Sequence, residues 1–301
     1  MKKDFIITKA YPQGFCKGVT NAIKIAKEAS VNPKTIKPIY ILGSIVHNKK
    51  ITEAFEFLGL KKITIEDLDN IPKGTIIITA HGVSPSVYRK ILNKGLDIID
   101  TTCDKVKELH NKVKDALNNN KNIYFLGMKH HEETLGILGI SDKIQLIEVN
   151  NVNYDITIKD DSILLCQTTL PFNIALDIYN KLKENNPSLT LEKEICDASY
   201  SRQMGILKIA NNNDIVLVIG DKLSNNCNSL LETVKQVNTN SYLIEDIGDL
   251  KNINFNNINK IAITSAASTP RVIVDEVIDA LKNLESSDFL TKIKIINYLK
   301  V

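Results

Sequence analysis

Short β-branched apolar runs alternate along this chain with longer stretches whose apolar residues recur every three or four positions. The runs PIYILG (38–43), TIIITAHG (75–82), IYFLG (123–127), ILLCQ (163–167), IVLVIG (215–220) and IAITSAAS (261–268) are bounded by Gly, Pro and Asn. Continuous apolarity over so few residues, with turn residues at both ends, predicts parallel strands buried on both faces. Stretches such as Val19–Ala22–Ile23–Ala26 carry the spacing of amphipathic helices. The chain is therefore expected to be α/β.

The alternation repeats as a unit. Apolar runs Phe5–Thr8, Asp97–Ile99 and Leu189–Ile195 precede Cys16, Cys103 and Cys196, and helical patterns follow at Lys17–Ala29, Asp104–Leu117 and Ser199–Ala210. A second strand then ends in Gly43, Gly127 or Gly220, and a polar residue follows at His47, His131 or Asn226. Third strands are expected around Glu66, Glu148 and Glu245, and fourth strands lead to Pro85, Pro171 and Pro270. The expected fold is three pseudo-threefold-related α/β units, a trefoil. The units span 14–101, 102–194 and 195–283 with 1–13, and a C-terminal arm of strand character covers 284–301. Ligands of parallel sheets lie beyond the carboxyl ends of the strands, where the cysteine, second-strand and fourth-strand loops all fall.

Composition narrows the class. The 301 residues carry a net charge of +3, with lysines scattered along helical faces, which argues against nucleic acid as a partner. No apolar run approaches the ~18 residues of a membrane span. The opening MKKDFIITKAYPQGFC lacks the apolar core of a signal peptide. Five cysteines without a secretion signal predict reduced thiols and a cytoplasmic protein, or an organellar stroma if a transit peptide has been removed. A monomer or weak dimer is expected. Cys166 and Cys227 are expected to be buried small hydrophobes.

The gaps of 87 and 93 residues between Cys16, Cys103 and Cys196 are too wide for the paired ligands of a zinc site. Three thiolates, one per unit, fit an iron–sulfur cluster with one iron left open, the mark of a catalytic rather than a structural site. His47, His81 and His131, together with Ser224, Asn225, Asn226 and Ser268, form a set suited to phosphate or diphosphate. His110, mid-helix, is expected on the surface, and His130 should point away from His131. Two roles are open to Glu133: an acid sharing a face with His131 in an extended loop, or, with Glu132, a cap of the following helix. Thr168 and Thr169 are open to orienting a substrate hydroxyl, orienting Glu133, or capping the helix near Pro171.

The motifs GFCKGV (14–19), VHN (46–48), AHGVS (80–84), DTTC (100–103), HHEE (130–133), QTT (167–169), ICDAS (195–199), SNNCN (224–228) and AAS-P (266–270) resemble, in order, those of the 4-hydroxy-3-methylbut-2-enyl diphosphate reductases. That resemblance implies a [4Fe–4S] cluster held by Cys16, Cys103 and Cys196, with the substrate hydroxyl on its open iron. It implies a diphosphate held by His47, His81, His131, Ser224, Asn226 and Ser268, a hydroxyl positioned by Thr168 and protons fed through Glu133. The implied products are isopentenyl and dimethylallyl diphosphate, with reduced ferredoxin or flavodoxin as the electron donor. The chain departs from the family pattern at Asn225, Met128, Glu132 (often proline) and Cys166. The same cysteines also suit another three-cysteine cluster enzyme, such as quinolinate synthase or a hydro-lyase, and a non-enzymatic electron carrier or sensor.

Overall fold

The computed structural model describes residues 4–192, 195–283 and 295–301. The first elements are β1 (Ile6–Lys9), α1 (Lys17–Val31), β2 (Ile39–Leu42), α2 (Lys49–Phe57), β3 (Lys61–Ile63), β4 (Thr75–Ile78), α3 (Pro85–Asn93) and β5 (Asp97–Asp100). Then come α4 (Asp104–Asn118), β6 (Asn122–Gly127), α5 (Glu132–Leu138), β7 (Ile144–Glu148), β8 (Ser162–Cys166), α6 (Phe172–Asn185) and β9 (Thr190–Leu191). The last are α7 (Asp197–Ala210), β10 (Ile215–Ile219), α8 (Asn225–Lys235), β11 (Ser241–Ile244), β12 (Lys260–Ser265) and α9 (Arg271–Lys282). Among the described residues no helix is long and apolar enough to cross a membrane.

Among the described residues the strands form three parallel four-stranded sheets of one design. Their orders are β3-β2-β4-β5, β7-β6-β8-β9 and β11-β10-β12-β1. In each, the second and fourth strands of a repeat lie at the centre, and the strand leading to a cysteine takes the edge beside the fourth. The central strands are buried along most of their length, as their apolar runs require: Ile76, Ile77 and Ile78 of β4 and Ile215 to Ile219 of β10 expose nothing. Each such side chain contributes roughly 1.5–3 kcal/mol on burial.

The chain divides into two compact units. One comprises Met1–Thr20, Val46–Leu58 and Asp197–Val301 and holds the β1 sheet; the other comprises Asn21–Ile45 and Gly59–Cys196 and holds the other two sheets.

Some strands are shorter than the apolar pattern suggests. The strand expected around Glu66 ends at Ile63, because the Asp67 carboxylate accepts from Thr64 N and Thr64 Oγ1 (2.8 and 3.1 Å) and turns the chain out of the ladder. Likewise β11 stops before Glu245, whose amide donates to Asp249 Oδ2 at 2.8 Å. Of the run Leu189–Ile195 only Thr190–Leu191 is strand, and 193–194 lie outside the described residues. In the expected terminal arm, 284–294 also lie outside them. Ile295–Leu299 is a 3-10 turn, not a strand, and buries Tyr298 and Leu299 against α2 and α9. Lys50 Nζ lies 5.7 Å from the centre of the Tyr298 ring, a cation–π contact.

Gly205 of α7 faces the backbone of Tyr11, and a Cβ at this position would collide with the Tyr11 carbonyl oxygen. A backbone atom cannot swing aside as a side chain can. Gly205→Ala is expected to destabilise the protein by about 2 kcal/mol through overpacking, despite the better helix propensity of alanine. A denaturant midpoint equal to that of the parent would refute this.

Candidate functional site: thiols, a buried acid and histidines at the strand ends

Each cysteine is tethered in the same way. Cys103 N donates to Ala80 O at 3.0 Å, Cys196 N to Thr168 O at 2.9 Å and Cys16 N to Ala267 O at 3.2 Å. The acceptor is in every case the second residue past a fourth strand, β4, β8 or β12. This bond repeats because the strand leading to the cysteine is the edge neighbour of that fourth strand. All three cysteines are outside any disulfide and half-buried, and each precedes a helix at once. At Cys16 the sulfur accepts from Val19 N at 3.5 Å, so an amide of the first turn of α1 faces it.

In the unit holding Cys16, the loop before it is pinned from two sides. Gly14 N donates to Ser265 Oγ (3.1 Å), and Arg202 Nη2 donates to Gly14 O (2.6 Å) while Nη1 donates to Ala198 O (2.8 Å). Arg202 is buried, and its cation braces the Cys16 loop against the first turn of α7. Gly14 has φ +74°, the left-handed region that favours glycine. In the same unit Ser224 and Ser268 are buried with their hydroxyls 3.3 Å apart. Ser224 is the N-cap of α8 but makes no side-chain cap, so its hydroxyl faces Ser268 instead of the helix amides. Asn226 is half-buried in the first turn of α8, and half-buried His47 precedes Asn48, whose Oδ1 caps α2 by accepting from Ile51 N.

The other unit holds Glu133, fully buried. Its Oε1 accepts from Thr168 N at 2.6 Å and its Oε2 from Thr168 Oγ1 at 2.8 Å. Burial pushes the Glu133 pKa up; the two Thr168 bonds and the His81 charge pull it back only in part. His131 is not in an extended loop with Glu133. It is the N-cap of α5, and its Nδ1 accepts from Glu133 N at 3.2 Å. That bond needs the Nδ1 lone pair and leaves Nε2–H as the outward donor.

His81 Nδ1 lies 2.8 Å from Glu132 Oε2, and its ring meets His131 edge-on with centroids 5.7 Å apart. Burial alone would lower the His81 pKa, but the hydrogen bond and charge of Glu132 and the charge of Glu133 outweigh it and raise the value. Gln167 locks the QTT loop: its Oε1 accepts from Met128 N (3.0 Å) and its Nε2 donates to Thr169 Oγ1 (2.9 Å). Thr168 thus orients Glu133, and neither threonine caps α6, which makes no side-chain cap.

His130 is exposed, as expected. His110 is not a surface residue: it is half-buried on α4, in the space beside Gly136, and burial lowers its pKa. Cys166 and Cys227 are buried as expected, and burial pushes the Cys227 thiol up to about 12, which makes it inert. The sequence reading missed Arg202, Gln167 and the engagement of Glu132. Only the quoted QTT motif hinted at Gln167.

Comparison with known proteins agrees. Residues 7–282 match the family model described as LytB protein. The chain is 38% identical over 289 residues to the 4-hydroxy-3-methylbut-2-enyl diphosphate reductase of Geobacillus sp. (strain WCH70), covering 94% of this chain and 92% of that protein. It is 36% identical to the reductase of the same name from Bacillus subtilis (strain 168), with the same coverage. Among solved structures it is similar to the E-1-hydroxy-2-methyl-but-2-enyl-4-diphosphate reductase of Plasmodium falciparum, with a TM-score of 0.85 and 29% identity over 98% of this chain and 97% of that one. The chain belongs to the LytB protein family.

Proposed function

We propose that this chain is an oxidoreductase that removes the hydroxyl of 4-hydroxy-3-methylbut-2-enyl diphosphate, giving isopentenyl and dimethylallyl diphosphate, with a [4Fe–4S] cluster on Cys16, Cys103 and Cys196. The donor set fits that group: three half-buried cysteines outside any disulfide at one repeated station, each at a helix start, while Cys166 and Cys227 are sealed in the core. When bound, the cluster supplies electrons and a Lewis-acidic iron. In this reading the three sheet repeats, 14–101, 102–194 and 195–283 with 1–13, surround it as a trefoil.

The observation that carries the reading is the double engagement of Thr168. Its hydroxyl and amide hold the buried acid Glu133, and its carbonyl receives the Cys196 amide. One residue therefore ties a proton source to a thiol. His47, His81, His131, Ser224, Asn226 and Ser268 hold the diphosphate, and Thr168 Oγ1 positions the substrate hydroxyl. Glu133 gives a proton to the leaving hydroxyl, which departs as water. Two electrons and a second proton, taken up at either end of the allylic system, complete the reduction and yield the two products.

A reduced ferredoxin or flavodoxin supplies the electrons to a cytoplasmic protein, monomeric or weakly dimeric. The test is spectroscopic. Adding the substrate anaerobically to cluster-loaded protein is expected to change its EPR or Mössbauer signal. A signal indifferent to the diphosphate would indicate an electron carrier instead.

A further inference from the structure

We propose that Glu132 is a positioning residue for substrate binding: it holds the His81 ring by Nδ1 and so commits the opposite nitrogen, as an N–H donor, to the diphosphate. The proposal rests on the assignment of His81 to the diphosphate cradle.

Glu132 opens α5, and a carboxylate at a helix start ordinarily turns to water or to the helix amides. Here it turns to a neighbouring loop, and Oε2 reaches His81 Nδ1 at 2.8 Å. Thr79 Oγ1 stands 3.5 Å from the same nitrogen, so Glu132 makes the closer of these two contacts. Space for the carboxylate comes from Gly43 at the end of β2. Its φ is +87°, and a Cβ there would stand 2.7 Å from Glu132 Oε1. Three elements therefore cooperate in one contact: the β2 terminus yields room, the β4 loop offers the imidazole and α5 offers the carboxylate.

The chemical consequence follows from the two nitrogens of histidine. A neutral ring donating from Nδ1 has only a lone pair at Nε2 and would repel a phosphate oxygen. A ring paired with a carboxylate at Nδ1 is favoured as imidazolium, and its Nε2–H can donate to an anion. His131 reaches the same state differently, because the Glu133 amide occupies its Nδ1 lone pair. The two histidines thus become donors by opposite devices, one by accepting at Nδ1 and one by donating there.

Glu132 carries a negative charge close to an anion site, so charge alone predicts that its removal strengthens diphosphate binding. Positioning predicts the reverse. In cluster-loaded protein, calorimetric binding of inorganic diphosphate is expected to weaken about 10-fold in Glu132→Ala, the scale of one charge-assisted hydrogen bond. The KM is expected to rise by a similar factor with kcat nearly unchanged. Glu132→Gln, which keeps an acceptor and loses the charge, should fall between the two. In a His81→Ala background, Glu132→Ala should no longer weaken binding, and the coupling between the two positions measures the effect.

Tighter or unchanged diphosphate binding in Glu132→Ala, or an equal loss with and without His81, would overturn the role of Glu132. An unchanged affinity in His81→Ala alone would instead overturn the cradle assignment beneath it, and the proposal with it. The first failure leaves His81 as a binding residue; the second does not.

Discussion

Replacing Glu133 with Gln is expected to leave the iron content intact and to lower turnover by roughly 10²–10⁴-fold, the range set by loss of a general acid. The substitution keeps volume and an acceptor oxygen. Thr168 N–H can still donate to that oxygen, and the Thr168 hydroxyl can rotate to accept from the new amide. The fold and the diphosphate cradle therefore persist while the transferable proton is gone. Near-normal turnover would remove Glu133 from the proton path.

The pH dependence carries a definite sign. A proton donor works only while protonated, and burial raises the Glu133 pKa above the ordinary carboxyl value. Activity attributable to it should persist to a higher pH than an exposed glutamate allows, and should fall as pH rises through that raised value. Thr168→Val removes a bond that favours the carboxylate, so its alkaline limb should move to still higher pH while kcat drops. A limb that moved down, or stayed, would show that another group controls it.

Changing Cys103 to Ser is expected to lower iron and acid-labile sulfide together and to abolish turnover, because a serine hydroxyl is a poor ligand for iron in a cluster. Cys16→Ser and Cys196→Ser should behave alike, since all three backbones are tethered by the same bond. The informative controls are the two remaining cysteines. Cys166 and Cys227 are buried in the core, and Cys166→Ala and Cys227→Ala should retain full iron even where stability suffers. Iron and sulfide assays of anaerobically purified protein decide the matter. Full iron in Cys103→Ser, or iron lost in Cys227→Ala, would mean that the ligands are wrongly assigned.

The sheet architecture was legible because strands buried on both faces must be continuous apolar runs, and their ends must carry turn residues. Gly43, Gly127 and Gly220 mark those ends in all three repeats. Where a strand stops was less legible: the Glu66 strand ends early through a side-chain bond from Asp67, which apolar periodicity does not register. The cysteines, and His47 with His131, could be picked out because they recur at equivalent loops, whereas Glu133 stood out only by lying two residues past His131.

Their geometry could not be picked out. Glu133 was open to two places, beside His131 in an extended loop or, with Glu132, as a cap of the following helix. A helix begins between them, and the imidazole caps it. Arg202 and Gln167 were invisible because their partners are distant. Arg202 reaches a carbonyl 188 residues away, and Gln167 an amide 39 residues away. The part played by Glu132 likewise depends on two remote residues, Gly43 and His81. A residue's type and its neighbours in sequence predict that it is polar and near a loop; only the tertiary fold decides which polar group it meets.

The most direct measurement is anaerobic turnover of the allylic diphosphate by cluster-loaded protein with a reduced viologen, with the products identified. The expected result is consumption of 4-hydroxy-3-methylbut-2-enyl diphosphate and appearance of both isopentenyl and dimethylallyl diphosphate. A sample with full iron and sulfide that leaves the substrate unchanged would contradict the proposed reaction.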